Sequence, residues 1–92
     1  VQGVGGMSGN IYLDSERDFR DQRSLNIEIL PSAQAALLAR VDGDVEKMIG
    51  KTITVAGTAK RVKIWIYTSL GRSDACYYQT QVAVTDVGQI TF

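Results

Sequence analysis

The sequence predicts a mostly-β domain whose five strands close into a Greek-key barrel, with one helix between the third and fourth strands. Two observations carry this expectation. Several segments alternate apolar and polar residues with a period of two, as strands half-buried on one face do. Between them lies an Ala- and Leu-rich stretch that follows the single proline, Pro31, with apolar residues at helical spacing. The 92 residues make one domain, 1–92, because so short a chain cannot enclose two independent cores.

Taken in order, residues 1–10 hold Gly3, Gly5, Gly6 and Gly9. They predict a mobile loop, with Val1–Val4 as the remnant of a short or truncated first strand. Asn10–Ser15 alternates, with Ile11 and Leu13 on one face and Asn10, Tyr12 and Asp14 on the other. Glu16–Ser24 is charged and aperiodic, a loop. Leu25–Leu30 alternates again, turning Leu25, Ile27 and Ile29 inward and Asn26 and Glu28 outward. Pro31 ends that strand, and Ser32 is the expected N-cap of a helix over Ala33–Val41. Asp44 caps one further turn that buries Val45, Met48 and Ile49.

Lys51–Thr68 reads as one long strand. Its inward residues change from odd numbers (Ile53, Val55) to even numbers (Val62, Ile64, Ile66), so a bulge is expected at Gly57. Ser69–Ala75 is the turn and Cys76–Thr85 the return strand. Centring this hairpin on Arg72 pairs Val62 with Val82, Ile64 with Thr80 and Ile66 with Tyr78, all inward. Lys63 then faces Gln81, Trp65 faces Gln79 and Tyr67 faces Tyr77 on the outer side. After a turn at Asp86–Gly88, Gln89–Phe92 adds a short last strand. This order, with its extended hairpin between the last two barrel strands, fits a five-stranded barrel of OB type.

Composition narrows the chemistry. There is no histidine, which removes Ser-His-Asp and Cys-His nucleophile systems and every His-containing zinc site. Cys76 is the single cysteine, so no intrachain disulfide forms, and it reads as an ordinary strand residue. Ten basic and ten acidic residues cancel, yet the first 50 residues carry net −3 and the rest net +3. A polyanion would therefore meet the second half. No apolar run reaches the roughly 20 residues a membrane span needs, and no secretory leader pattern is present. The chain opens at Val1 rather than Met, which predicts a fragment, a processed form or an engineered piece.

Three segments resemble a known family. NIYLDSERDFRDQRSLNIEI (10–29) is similar to the second and third strands of small bacterial OB domains reading "fLNf…dyr…ftvvI". GKTITVAGTAKRV (50–62) resembles their "GKxVxVxGxV" strand. VAVTDVGQITF (82–92) resembles their closing "iVvxdpxQIeV". Together these cover about half the chain. Such domains occur in uncharacterised, often exported bacterial proteins, sometimes beside nuclease domains, so the resemblance implies an accessory binding module. The chain departs from the family in its reduced first strand and its longer hairpin.

The candidate ligand surface is the aromatic–basic face of the hairpin. Trp65, Tyr67 and Tyr77 are expected there with Lys63, and Arg61 and Arg72 lie nearby; Tyr12 faces outward on its own strand. Aromatic rings stack on bases at about 1–3 kcal/mol each, with cations meeting phosphates. Exposed aromatics also simply favour strands, and Glu28 and the acidic first half oppose a phosphate track.

Other motifs carry less. Asp14, Glu16 and Asp18 alternate as in a calcium loop, but Phe19 and Leu25 stand where Gly and Glu are required. Interleaved Arg17, Arg20 and Arg23 predict a salt-bridged loop instead. The glycine run has Ser8 where a dinucleotide fingerprint needs Gly.

The sequence thus predicts a non-catalytic binding or interaction module without cofactor or metal. Its partner is a second copy or another protein, met through the hairpin or an open edge. The alternative is single-stranded nucleic acid or an oligosaccharide on the aromatic–basic face.

Overall fold

Alternation does produce strands at 10–14 and 25–29, and the ladder extends to either side of them. The structure, a computed structural model, describes residues 1–7, 9–18, 20–21 and 23–92. Ser8 and Phe19, which bear on the phosphate and calcium readings, lie outside the described residues. The elements are β1 (Gly3–Met7), β2 (Asn10–Asp14), β3 (Leu25–Ile29), α1 (Pro31–Ala39), a 3-10 turn (Val45–Met48), β4 (Thr54–Val55), β5 (Ala59–Thr68), β6 (Gly71–Val84), a second 3-10 turn (Val87–Gln89) and β7 (Ile90–Thr91). One sheet has the order β1-β2-β3-β6-β5, and β4 pairs with β7 in a separate two-stranded sheet. Neighbours are antiparallel except β3 and β6, which run parallel.

The expected closed barrel is not formed. The mixed five-stranded sheet is open, with β1 and β5 as its two edges. The reason lies in the segment expected as one long strand. It breaks at Gly57, where an added Cβ would stand 2.7 Å from Val82 Cγ1. Before the break β4 is committed to β7; after it β5 lies against β6 alone. The ladder between β3 and β6 stops at Thr80, so most of the hairpin runs beyond the strands it would need to close upon.

The core covers one face of the sheet. Leu13, Ile27, Ile29, Val82 and Val84 are buried there beneath Ala33 and Leu37 of α1, with Val41, Met48 and Ile90. This confirms the inward residues of β2 and most of those of β3, although Leu25 is 36% exposed. Pro31 sits in the first helical turn, where its missing N–H is not needed. Ser32 is not the N-cap: Leu30 holds that position, and Ser32 Oγ donates to the Thr85 carbonyl at 2.7 Å. Asp44 does cap the 3-10 turn, accepting from the Glu46 N–H at 3.1 Å. Met48 is buried, but Ile49 is 47% exposed rather than inward.

Two further expectations are corrected. The glycine-rich start pairs along its length with β2, from Gly3 opposite Asp14 to Met7 opposite Asn10, instead of forming a loop. Hydrogen-bonded pairing needs only backbone, so the strand forms without the side-chain alternation that would announce it.

The hairpin register is also offset by three residues from the expected one. Val62 faces Gln79, Ile64 faces Tyr77, Lys63 faces Tyr78 and Trp65 faces Cys76. The turn is the two residues Ser69–Leu70, followed by Gly71 at φ 105°, with a bulge between Trp65 and Tyr67. An odd offset exchanges the two faces of one strand relative to the other. Val62 and Ile64 therefore lie on the sheet face opposite the core, and Ile66 is 37% exposed.

Candidate binding cleft

The face of the sheet opposite the core carries side chains from even positions of β2, β3 and β5 and odd positions of β6. Residues from all five strands line one cleft of about 260 Å³ there. They are Gly5 and Gly6 of β1, Tyr12 and Asp14 of β2, Asn26 of β3, Ile64 of β5, and Tyr77, Gln79 and Gln81 of β6. Edge strands and central strands share one cleft, so the open sheet curls about it. β1 leaves room because it is glycine: a Cβ on Gly5 would meet nothing within 4 Å.

The floor is polar. Asn26 is 1% exposed, and its Nδ2 donates a hydrogen bond to Asp14 Oδ1. Asn26 Oδ1 is buried without a partner among the described residues, as is Ser24 Oγ outside the cleft. Such an orphaned group costs about 1–3 kcal/mol. Asp14 is half-buried, and that burial raises its pKa above the usual 3.8, against the opposing bond from Asn26. Asp14 is the one charged side chain among the described lining residues. Gln81 Nε2 donates to Gln79 Oε1 at 2.8 Å, which fixes two carboxamides side by side. Beyond them Asn10 Nδ2 donates to Glu28 Oε1 at 2.7 Å on the same face.

The charged loop between β2 and β3 reaches the rim. Burial raises the Tyr77 pKa, and the charges of Arg20 and Asp18 are felt at its hydroxyl with opposite signs. The loop is salt-bridged as its sequence predicts: Arg20 meets Asp18 at 3.4 Å and Arg23 meets Asp21 at 2.8 Å. The hydrogen bond from Arg23 holds Asp21 down at about 2. Among the described residues no three His, Cys, Asp or Glu side chains gather as a metal site.

The seven candidate binding residues, six of them on or near the hairpin and Tyr12 on β2, divide between two surfaces. Lys63, Trp65 and Arg72 do come together: Lys63 Nζ and the Arg72 guanidinium each lie 4.5 Å from the Trp65 ring centroid. Arg61 stacks on Tyr78, not on an expected partner, at 5.1 Å. Tyr67 is 70% exposed toward the hairpin tip. Tyr77 and Tyr12 stay on the face opposite the core and line the cleft, while the three-residue offset carries Lys63 and Trp65 of β5 to the other face.

Sequence reasoning missed Asp14, Asn26, Ile64, Gln79 and Gln81 as site residues. One available signal was the polar alternation Tyr77, Gln79, Gln81 on a strand whose Val82 and Val84 are buried in the core. Among the described residues no helix is long and apolar enough to cross a membrane. The chain matches no protein-family model, no curated protein and no solved structure.

Proposed function

We propose that this chain is a non-catalytic binding module that takes an oligosaccharide into the cleft opposite its core. The observation that carries this is the lining itself: two tyrosine rings, three carboxamides and one half-buried carboxylate converge from separate strands on one small space. Carboxamides both donate and accept, as a ring of sugar hydroxyls requires. Tyrosine rings offer apolar faces for the C–H side of the same sugar. A carboxylate as the charged lining group disfavours phosphate there.

The test uses soluble tetrasaccharides of glucose, N-acetylglucosamine and glucosamine, titrated calorimetrically. Binding of at least one is expected, with loss in Gly5→Val, which adds a side chain where a Cβ meets nothing within 4 Å. Valine also favours a strand, so the variant should stay folded. No binding by any of the three, or unchanged binding by the folded variant, overturns the proposal.

A second reading rests on the hairpin. Lys60, Arg61, Lys63 and Arg72 stand on β5 and β6 with Asp74 as the one acid of those strands. Single-stranded nucleic acid is the polymer this charge suits. Lys63 and Arg72 already occupy the ring that a base would stack on, so the contact would be chiefly with phosphate. Such binding weakens steeply with salt. Trp65 is the single tryptophan, so its fluorescence during titration with mixed oligonucleotides at low salt tests this reading. An unchanged signal counts against it. Self-pairing along the β5 edge is opposed by the same lysines and arginine, which block edge-to-edge addition.

A further inference from the structure

We infer that the floor of the cleft recognises a primary ammonium carried on a sugar ring, so that the ligand is an amino sugar whose amine is not acylated. This rests on the reading of the cleft as an oligosaccharide site and names the group that Asp14 and Asn26, both among its lining residues, would hold.

Two acceptors meet there. Asn26 Oδ1 is buried in a residue only 1% exposed and has no donor among the described residues. Buried polar atoms in folded proteins are nearly always paired, with protein, ordered water or a ligand, and Asn26, unlike Ser24, lines the cleft. Beside it stands the half-buried Asp14, bound by the Asn26 amide. No ion pair involving Asp14 is found among the described residues.

What fits must donate at least two hydrogens and offset a negative charge. A hydroxyl gives one donor and no charge. An acylated amine gives one donor and no charge. An ammonium gives three donors and a positive charge. The walls suit the same group: Tyr12 and Tyr77 present rings of the kind that attract cations. Gln79 and Gln81 suit the hydroxyls around it. At about 260 Å³ the cleft falls just below the roughly 300–1,000 Å³ of drug-sized sites, which suits a single ring.

The experiment compares glucosamine, N-acetylglucosamine and glucose tetrasaccharides with spermidine on the intact chain, in wild type and Asp14→Asn. Glucosamine tetrasaccharide should bind about tenfold or more tightly than the two neutral sugars. Asp14→Asn keeps the shape and removes the charge, and should bring glucosamine to the level of glucose while thermal unfolding stays cooperative. Equal binding of the three sugars overturns the ammonium inference and leaves the oligosaccharide reading standing. Failure of all three overturns both. Spermidine binding as tightly as glucosamine tetrasaccharide overturns the sugar scaffold. Preference for glucosamine that survives in folded Asp14→Asn overturns the assignment to this floor.

Discussion

At the scale of single residues, Asp14 and Asn26 set a local conflict. Burial favours the neutral acid of Asp14 in the folded chain. The folded state therefore binds that proton more tightly than the unfolded state does. The resulting stabilisation is complete below the ordinary value of 3.8 and is lost as pH rises through the raised folded value. Asp14→Asn removes the charge and offers Asn26 Oδ1 a donor. It should raise stability at pH 7 by about 1 kcal/mol. The gain should shrink as pH falls below the folded pKa of Asp14. Chemical denaturation of both proteins across pH 3 to 7 checks this. A loss of stability at pH 7 would mean the carboxylate is satisfied as it stands.

At the scale of elements, the hairpin and the closing turn make separate predictions. Trp65 lies directly opposite Cys76, and directly opposed strand positions are close enough for a disulfide bridge. Trp65→Cys should form an intrachain disulfide under mild oxidation, detected by mass after alkylation. In the register centred on Arg72, Trp65 would face Gln79, and no such bond would form.

Gln89 ties the closing turn together. Its Oε1 accepts from the Thr85 and Asp86 N–H groups at 2.9 and 3.1 Å, and its Nε2 donates to the Ala56 carbonyl at 2.9 Å. The Asp86 side chain accepts from the Gln89 N–H to complete a capping box, and also from the Gly88 N–H at 2.7 Å. Gln89→Ala should cost about 2–3 kcal/mol, since several bonds are lost at once, as urea unfolding would measure.

These elements also explain what was legible in the sequence. β2 and β3 show clean alternation because one of their faces lies on the core. Pro31 and Asp44 marked the helix and the 3-10 turn through local backbone chemistry. The register of β5 on β6 was not legible. Most of that hairpin extends past the core, so the apolar pattern no longer fixes its register; the two-residue turn and the bulge do. β1 was hidden because glycine leaves no periodicity to read. The cleft followed both losses, since β1 forms one side of it and the register brings Ile64 of β5 beside Tyr77 on the other.

At the scale of the whole molecule, the chain is long on one axis, with extents of 41 × 23 × 23 Å. Its radius of gyration is 13.7 Å, against about 12 Å for an equally long compact domain. The hairpin accounts for the difference: the 14 residues of β6, rising roughly 3 Å each in a twisted strand, run nearly the whole 41 Å axis. The cationic residues of the hairpin thus project from one end, while the cleft sits where the sheet curls over its own middle strands. Two surfaces of opposite charge character therefore belong to one small sheet.

The most direct measurement is amide chemical-shift mapping of the uniformly ¹⁵N-labelled chain during titration with glucosamine tetrasaccharide. The shifts should cluster at Gly5, Tyr12, Asp14, Asn26, Tyr77, Gln79 and Gln81. Shifts confined to Lys63, Trp65 and Arg72, or no shifts at all, would contradict the account.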